Sequence, residues 1–213
     1  MNPPLDGIAG QLNDLLAEAG LPPVAPAAAV QFDSYFALLQ RWNEKINLTA
    51  IHDQTEILRR HFVESIAAAR SLPAGIRTLL DVGSGAGFPG LPIAICRPEI
   101  AVTLTESQSK KAGFLLEAVR TLAIPVEVSS VRAETLVRRF DCVTLRAVDR
   151  MEKAVQAATS LVGPDGWLAL LTTNSSSVRL SAAAGANFKW QPMIPLPSAN
   201  SRTLLLGHRH TSE

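Results

Sequence analysis

Apolar residues in the first third of the chain recur at steps of three and four positions. This spacing places them on one face of an α-helix and predicts amphipathic helices. The two clearest series consist of Phe32, Phe36, Leu39 and Trp42, and of Leu58, Phe62, Ile66 and Ala69. A weaker series over residues 5–19 predicts a first helix, which Gly20 and the prolines at 22–23 would end. We therefore expect residues 1–74 to form a helical extension that packs on the rest of the protein.

From Thr78 onward, short apolar runs alternate with helical stretches. The predicted strands cover residues 78–82, 101–106, 125–130, 140–146, 166–172 and 203–208, and the predicted helices cover residues 89–96, 109–123, 150–162 and 176–184. Such alternation is typical of βαβ units, in which helices cover both faces of a parallel sheet. The tail over residues 187–210 contains no good crossover helix, so we expect the last two apolar runs to pair as antiparallel strands. Residues 75–213 would then form a single Rossmann-like core.

The composition limits the size of the core, the location of the protein and the role of its cysteines. The 213 residues are 47% apolar, which is enough for one sizeable core with a small extra lobe. No apolar run reaches membrane-spanning length, and the first residues lack the basic and apolar regions of a secretory signal. We expect a soluble cytoplasmic protein. Cys96 and Cys142 lie in apolar runs, which favours buried free thiols over a disulfide or a metal site.

The formal net charge of +1 is not typical of a nucleic-acid-binding protein. Basic residues nevertheless cluster locally at Arg59-Arg60-His61, Lys110-Lys111, Arg138-Arg139 and His208-Arg209-His210. Each cluster alone is most simply a solvated face. Together they could form one patch, because phosphate binding needs local positive charge and not a basic total.

The stretch "TLLDVGSGAGFPGLPIAI" (78–95) is a glycine-rich turn between a predicted strand and a predicted helix. Gly85, Gly87 and Gly90 fit G-x-G-x-x-G, the dinucleotide fingerprint. Gly83, Gly85 and Gly87, preceded by Asp81, fit an acidic-x-G-x-G-x-G pattern instead. In the dinucleotide motif the first glycine follows the strand directly. Here Gly83 follows the strand, so a fingerprint that starts at Gly85 would begin two residues late.

Charge favours the second pattern. Asp81 would place a carboxylate at the end of the strand, where it would repel a pyrophosphate. The sulfonium and ammonium groups of S-adenosyl-L-methionine would be attracted to it. Glu106 ends the next strand, where a carboxylate can accept both ribose hydroxyls of either cofactor. A methyl donor is therefore preferred to a nicotinamide dinucleotide, and "VRAETL" (131–136) would lie at the adenine edge.

The catalytic groups that the sequence lacks narrow the choice of atom that could accept the methyl group. Carbon-5 of a pyrimidine requires a nucleophilic cysteine, and the candidate Cys142 lies in the apolar strand "FDCVTLRA". Exocyclic amines are commonly met by an Asn/Asp-Pro-Pro-aromatic turn after the fourth strand, where this chain reads "LRAVDR". Guanine N7 has an available lone pair and loses no proton on methylation, so it needs no general base. A ring nitrogen fits this set of residues best.

Six segments together resemble the RsmG (GidB) family: "RWNEKINLTAI" (41–51), "RRHFVESI" (59–66), "LLDVGSGAGFPGLPIAI" (79–95), "ESQSKKAGFLLEAV" (106–119), "VRAETL" (131–136) and "FDCVTLRAV" (140–148). The resemblance covers residues 28–170. It implies an α/β fold, the Rossmann-like class I S-adenosylmethionine-dependent methyltransferase with a mostly parallel sheet and a helical N-terminal extension. It also implies transfer of a methyl group to N7 of a guanine, guanosine 527, in 16S rRNA or the small ribosomal subunit. We expect a monomer without a stable protein partner.

The same resemblance implies roles for individual residues. Combined with the loop argument, it predicts that the cofactor-binding residues are Asp81, Gly83, Gly85, Gly87, Phe88, Glu106, Ala133, Glu134 and Arg146. Arg146 is also the candidate catalytic residue, through positioning of the acceptor. The predicted RNA contacts are Asn47, Arg60, His61, Lys110, Lys111 and Arg202.

Simpler interpretations remain for several of these residues. Phe88 could be a core residue, Ala133-Glu134 a helix start, His61 a helix-boundary histidine and Arg146 a surface ion-pair partner. Thr172-Thr173 stands where the family has a lysine and a glycine, and Glu106 stands where it has an aspartate. The rival functions are a methyltransferase of the same fold for another acceptor, a non-catalytic RNA-binding protein and an NAD-dependent oxidoreductase.

Overall fold

The computed structural model describes residues 7–148, 150–197 and 201–210. The first two residues of the helix predicted over 5–19, and Asp149 of the "LRAVDR" segment, lie outside these ranges. The helices before the sheet are α1 (Ala9–Glu18), α2 (Pro26–Asn43), α3 (Gln54–Ile57) and α4 (Glu64–Ser71), with a π-helical turn at Leu58–Val63 between α3 and α4. Helical segments are thus confirmed where the apolar periodicity predicted them.

The second predicted helix series is a continuous helical stretch with a change of winding inside it. Asp53 precedes α3, and its carboxylate accepts the backbone N–H of Glu56 at 2.8 Å, as an N-cap does. The chain then passes through the π-helical turn before α4. A π turn closes i→i+5 hydrogen bonds and so rotates the following side chains relative to an α-helix.

The described residues contain eight strands that form one sheet. The strands are β1 (Thr78–Val82), β2 (Ala101–Thr105), β3 (Glu127–Ser129), β4 (Phe140–Arg146), β5 (Val162–Thr173), β6 (Phe188–Trp190), β7 (Ile194–Pro195) and β8 (Arg202–Arg209). Their order is β3-β2-β1-β4-β5-β8-β6, and β7 also pairs with β8. The helices of this part are α5 (Gly90–Cys96), α6 (Ser109–Leu122), α7 (Met151–Thr159) and α8 (Asn174–Ala184), with a 3₁₀ turn at Ala133–Thr135.

Strands β1 to β5 are parallel, whereas β8 runs antiparallel to β5. This arrangement confirms the predicted fold class, including the antiparallel pairing of the last two predicted strands. Two short strands, β6 and β7, were not predicted, and both pair with β8. Isolated segments of three and two residues have too little periodicity to be recognised, and their neighbour in the sheet stabilises them.

Strand β5 begins at Val162 and not at residue 166, and helix α7 ends at Thr159, before the predicted residue 162. The backbone N–H of Phe140 donates to Leu161 at 2.8 Å, so the chain is already paired with β4 there. A bulge then separates this pair from the pairing of Cys142 with Trp167. The Gly-Pro-Asp-Gly sequence at 163–166 forms this bulge. It therefore lies inside the strand, and not before the strand as predicted.

Two groups of buried residues stabilise the fold. One lies on one face of the sheet and includes residues of both the early helices and the core, among them Phe32, Phe62, Leu79 and Leu91. The other includes Leu80, Val143, Val155, Leu168 and Leu180. Because the first group crosses residue 75, the division into units over 1–74 and 75–213 stays a prediction. Among the described residues, no helix has both the length and the apolar composition that crossing a membrane requires.

The sheet order determines where a site can form. From β1 the chain continues to β2 on one side, and β4 lies on the other side of β1. The parallel register aligns Val82 with Thr105 and with Leu145, so the segments that follow β1, β2 and β4 meet at one edge. Ligands of open α/β sheets bind at such a switch point, outside the carboxyl ends of the strands.

Candidate active site

Two adjoining cavities lie at this edge of the sheet. The β3-side cavity, whose lining includes residues 131–134 after β3, has a volume of about 420 Å³. The glycine-turn cavity, whose lining includes residues 83–86 of the glycine turn, has a volume of about 410 Å³. Gly83, Ser107 and Val148 line both of them. The cavities therefore adjoin along the residues that follow β1, β2 and β4, which is the place that the sheet order indicates.

The glycine turn has a backbone conformation that residues with a side chain rarely adopt. Gly83, Gly85 and Gly87 have φ values of 65°, 56° and 91°, in the region that favours glycine. A Cβ on Gly83 would also lie 3.2 Å from Cγ2 of Val148, where the two cavities meet. Gly83 and Gly85 line the glycine-turn cavity, whereas Gly87 is buried. The turn thus exposes backbone to a ligand at the first two glycines.

Asp81 lies beneath the turn. The residue is 1% exposed, and its carboxylate accepts the hydroxyl of Thr144 at 2.7 Å and the backbone N–H of Gly90 at 3.3 Å. Burial raises the pKa of Asp81 to about 6, against the lowering effect of these hydrogen bonds. The expectation of a carboxylate facing the ligand is corrected, because Asp81 lines neither cavity. It connects the end of β1 to the start of α5 and shapes the turn from below.

Glu106 is the carboxylate that does line the glycine-turn cavity. One oxygen accepts the N–H of Gly85 at 3.0 Å, and the other accepts the N–H of Gln108 at 2.8 Å. The residue is 6% exposed. Each carboxylate oxygen has a second lone pair, so both can still accept a hydroxyl group of a ligand.

Ala133 and Glu134 lie in the 3₁₀ turn and line the β3-side cavity. Ala133 is 8% exposed, whereas Glu134 is exposed. The interpretation of this segment as a helix start is thus partly right, since the turn is helical and lines the cavity as well.

Phe88 is both a core residue and a cavity wall. Its ring lies 5.1 Å from that of Tyr35 and 5.1 Å from that of Phe62, measured between centroids. The ring of His61 stacks on it at 5.0 Å. Phe88 and His61 also line the glycine-turn cavity. The early helices therefore contribute directly to this cavity.

Arg146, at the end of β4, is buried against the π-helical turn and α4, and 7% of its side chain is exposed. Its Nη2 donates to Glu64 at 3.1 Å, contacts Nδ1 of His61 at 3.2 Å and donates to the carbonyl of Arg60. Its Nη1 donates to the hydroxyl of Ser65 at 3.4 Å. Arg146 lines the glycine-turn cavity, so the interpretation as a surface ion-pair partner is wrong.

The charge state of Arg146 follows from these surroundings. Burial, together with the charges of Arg202 and Arg60, lowers its pKa to about 10, although Glu64 opposes the shift. The guanidinium therefore stays protonated at neutral pH. It places a positive charge at the wall of the cavity. Because little of the side chain is exposed, water screens its electrostatic interactions only weakly.

His61 is neutral at physiological pH. Burial and the charges of Arg146 and Arg60 lower its pKa to about 3. Arg146 can only donate, so Nδ1 of His61 accepts, and Nε2 carries the proton that it donates to the hydroxyl of Thr49 at 2.8 Å. This histidine is consequently a fixed hydrogen-bonding group and a weak base.

The predicted RNA contacts lie in different places. His61 and Lys111 line the glycine-turn cavity, whereas Lys110 and Asn47 are exposed outside its wall. Arg60 and Arg202 influence the pKa of Arg146 and lie close to it. The structure thus brings together Arg60, His61, Arg146 and Arg202. It does not bring Lys110 or Asn47 into the cavity lining.

Two of the basic clusters have structural partners at the opposite edge of the sheet. Arg138 pairs with Glu127 at 3.2 Å and lies over the ring of Phe140, at the start of β4. Arg209 donates to the carbonyls of Thr159 and Val162, at the start of β5. The amino ends of these strands face away from the cavities, so the four clusters do not form one patch.

Thr172 and Thr173 lie beside Arg202 in a smaller cavity of about 180 Å³. Thr173 pairs with Arg202 across β5 and β8. A positive charge is therefore present near the place where the sequence lacks the lysine of the family, and it comes from another strand.

The two cysteines are free thiols: Cys142 is buried and Cys96 is partly buried. Burial raises the pKa of the Cys142 thiol, which excludes it as a ready nucleophile.

Glu64 is the residue that sequence reasoning missed. It follows Arg60 by four positions and His61 by three, so helical spacing alone places it on their face. This acidic residue within an apolar helix series was the available signal.

Several solved structures with a similar backbone are named as methyltransferases. A methyltransferase from Pyrococcus furiosus superimposes with a TM-score of 0.61 at 12% sequence identity, over 84% of this chain and 98% of that chain. At this level of identity the comparison shows the fold alone. It agrees with the class I methyltransferase fold predicted from the sequence.

Sequence comparisons are more specific. The Ribosomal RNA small subunit methyltransferase G of Anaeromyxobacter sp. (strain Fw109-5) is 37% identical over 171 residues, which cover 78% of this chain and 79% of that protein. The protein of the same name from Bacillus subtilis (strain 168) is 37% identical over 179 residues, covering 80% and 74%. A family model described as rRNA small subunit methyltransferase G matches residues 28–191. The resemblance found in the sequence is confirmed, and the chain belongs to the rRNA small subunit methyltransferase G family.

Proposed function

We propose that this protein transfers a methyl group from S-adenosyl-L-methionine to N7 of a guanine in 16S rRNA. The observation that carries the proposal is the glycine-turn cavity, with a carboxylate, Glu106, and a buried guanidinium, Arg146, in its wall. These groups suit a ligand that carries both hydroxyls and a carboxylate.

The residues of the two cavities fit the methyl donor. Glu106 would accept the ribose hydroxyls, and the 3₁₀ turn at Ala133–Thr135 would border the adenine. Gly83 and Gly85 would let the backbone approach the donor closely. Phe88 would form an apolar part of the cavity wall. Arg146 would bind the donor's carboxylate or face the incoming base. When bound, the donor supplies an electrophilic methyl group.

The protonation states in the cavity favour a ring nitrogen as acceptor. The lone pair of guanine N7 forms the new bond to the methyl carbon, and the electrons of the broken carbon–sulfur bond remain on sulfur. No proton leaves N7, so no general base is required. His61, whose pKa is about 3, is too weak a base to take a proton from an amine at neutral pH. The residues would act by holding the two reactants in line.

The relatives' names point to RNA of the small ribosomal subunit as the substrate. Arg60, Arg202 and Lys111 support this proposal, because guanidinium and ammonium groups bind phosphate oxygens. The target guanine would have to leave its stack to reach the cavity.

The test is methyl transfer from labelled donor to 30S particles and to bare 16S rRNA, followed by mapping of the modified atom. The proposal predicts label at N7 of one guanine. Arg146→Ala should lower transfer by at least about 100-fold, whereas Arg138→Ala, at the opposite edge of the sheet, should transfer normally. Label at an exocyclic amine, at a pyrimidine or only in a small molecule would refute the proposal. Binding of rRNA without binding of the donor would indicate a non-catalytic RNA-binding protein.

A further inference from the structure

Glu64 is a fully buried carboxylate beside the proposed site. It is the first residue of α4 and follows the π-helical turn directly. Its side chain is 0% exposed. A carboxylate at this depth requires partners, because burial of an unpaired charge is costly.

The partners of Glu64 include two arginines from different strands. Its Oε2 lies 3.1 Å from Nη2 of Arg146, at the end of β4, and 3.1 Å from Nη2 of Arg202, at the start of β8. The exposed fractions of the two arginine side chains are 7% and 15%. A single oxygen therefore joins the helical extension to two strands of the sheet.

The spacing of four positions along the helical stretch explains why these groups meet. The carbonyl of Arg60, Nδ1 of His61, the carboxylate of Glu64 and the hydroxyl of Ser65 all contact the guanidinium of Arg146. Residues 60 and 64, and likewise residues 61 and 65, are four positions apart, so all four lie toward one side of the helix. Within this set, Glu64 carries the negative charge.

Without that charge the two guanidiniums would repel each other across a poorly solvated space. Like charges a few ångströms apart interact strongly where water is excluded. Arg146 would then turn away from Arg202, and its orientation at the cavity wall would change. The other three contacts of Arg146 are with uncharged groups and hold it less strongly.

We propose that Glu64 is a positioning residue, whose carboxylate orients Arg146 toward the glycine-turn cavity and keeps Arg202 beside it. The proposal rests on the proposed function only in that Arg146 acts on the donor or the acceptor. Glu64 itself lines neither cavity and acts through the arginine.

The first test compares Glu64→Asp and Glu64→Gln with the wild type. Aspartate keeps the charge but is one methylene shorter and cannot reach both arginines. We expect Glu64→Asp to melt within about 3 °C of the wild type, to bind the donor about fivefold more weakly and to lower kcat about tenfold. Glu64→Gln should be affected more strongly, and Glu64→Asp keeps the test valid if that variant fails to fold.

The number of donor-binding sites, measured by calorimetry, gives the concentration of folded enzyme. A merely structural role would reduce this number but leave kcat and donor affinity per site unchanged, and that result would overturn the proposal. Glu117→Asp is the matched control. Glu117 pairs with Arg41 on the exposed side of α6, and its variant should retain full kcat and donor affinity.

A double-mutant cycle with Arg146→Lys tests whether Glu64 acts through Arg146. Lysine keeps the charge but not the guanidinium that Glu64 orients. In the Arg146→Lys background, Glu64→Asp should change kcat and donor affinity by less than about twofold, because the two residues act as a unit. Equal losses in both backgrounds would overturn the proposal.

The outcomes separate the two proposals. Mapping of the wild-type product decides between guanine N7 and another acceptor, whereas the cycle counts transferred label at any atom. If the wild type transfers no label to rRNA, the donor-affinity arm of the cycle still decides the role of Glu64.

Discussion

The imidazole of His61 stacks on the ring of Phe88, with the centroids 5.0 Å apart and the planes 23° apart. His61 comes from the π-helical turn of the extension, and Phe88 comes from the glycine turn after β1. The stack therefore joins two parts of the chain that the sequence analysis assigned to different units. It also fixes the histidine between Thr49 and Arg146, so the cavity wall is built jointly by both parts.

Substitution of Gly83 should separate the cost of its backbone conformation from its role in the cavity. Gly83→Ala places a Cβ at a φ of 65° and 3.2 Å from Val148. We expect a loss of about 1 kcal/mol of stability and a loss of donor affinity of about tenfold, measured by thermal unfolding and calorimetry. Gly20→Ala is the control, since Gly20 has a φ of 69° and a Cβ added there would meet no other part of the protein within 4 Å. It should lose similar stability and no donor affinity. Equal donor binding by both variants would contradict the placement of the donor.

Glu106→Gln should weaken binding of the donor. Glutamine keeps one acceptor oxygen, but its amide group would face a backbone N–H of Gly85 or Gln108 that the carboxylate now accepts. We expect about tenfold weaker binding, equivalent to about 1.4 kcal/mol, because a charged acceptor for the ribose is lost. Isothermal calorimetry measures it, with the exposed Glu56→Gln as control. Unchanged affinity for S-adenosyl-L-methionine would exclude Glu106 as a ribose contact.

Asp81 should make the protein less stable as the pH rises. Burial raises its pKa from 3.8 to about 6, so between these values the folded protein holds a proton that the unfolded chain has released. The stability from this group is therefore largest below pH 4 and is lost as the pH rises through 6, by at most about 3 kcal/mol. Urea unfolding of the wild type and Asp81→Asn across this range should show the difference. The exposed Asp14→Asn serves as the control, and an identical pH dependence of Asp81→Asn and wild type would refute the assignment.

His61 should have the opposite effect. Its folded pKa of about 3 lies below the ordinary value of 6.5, so the unfolded chain binds a proton that the folded protein excludes. Stability from this group is present above pH 6.5 and falls as the pH is lowered, by about 3 kcal/mol near pH 4. In His61→Asn, whose amide oxygen can replace Nδ1 as acceptor, this fall should disappear.

Urea unfolding across this pH range measures the effect, and the exposed His52→Asn is the matched control. Since the effects of Asp81 and His61 have opposite signs, these two contributions nearly cancel in the wild type between pH 4 and 6. Each contribution becomes visible only as a difference between a variant and the wild type. A steep acid loss that persists in His61→Asn would show that another group is responsible.

Much of the site could be predicted from local sequence. Gly83 and Glu106 follow directly after strands, and the carboxyl ends of parallel strands meet at one edge. The position of Asp81 was also predicted, but its environment was not. The alternation of apolar and polar residues gives the face of a strand, whereas the depth of a side chain depends on what packs above it. Here the turn itself, with Gly90 in contact with Asp81, covers the carboxylate.

The sequence by itself determined the order and type of the main helices and strands, because their apolar spacing reflects short-range geometry. It also determined the family, through motifs whose residues are close together in the chain. Only the tertiary structure decided which charged groups meet. Arg146 is 85 positions from His61 and Arg202 is 138 positions from Glu64, yet each pair lies within 3.2 Å. Burial and long-range pairing depend on the packing of the whole sheet against the early helices, so no local pattern reveals that one carboxylate orients two arginines.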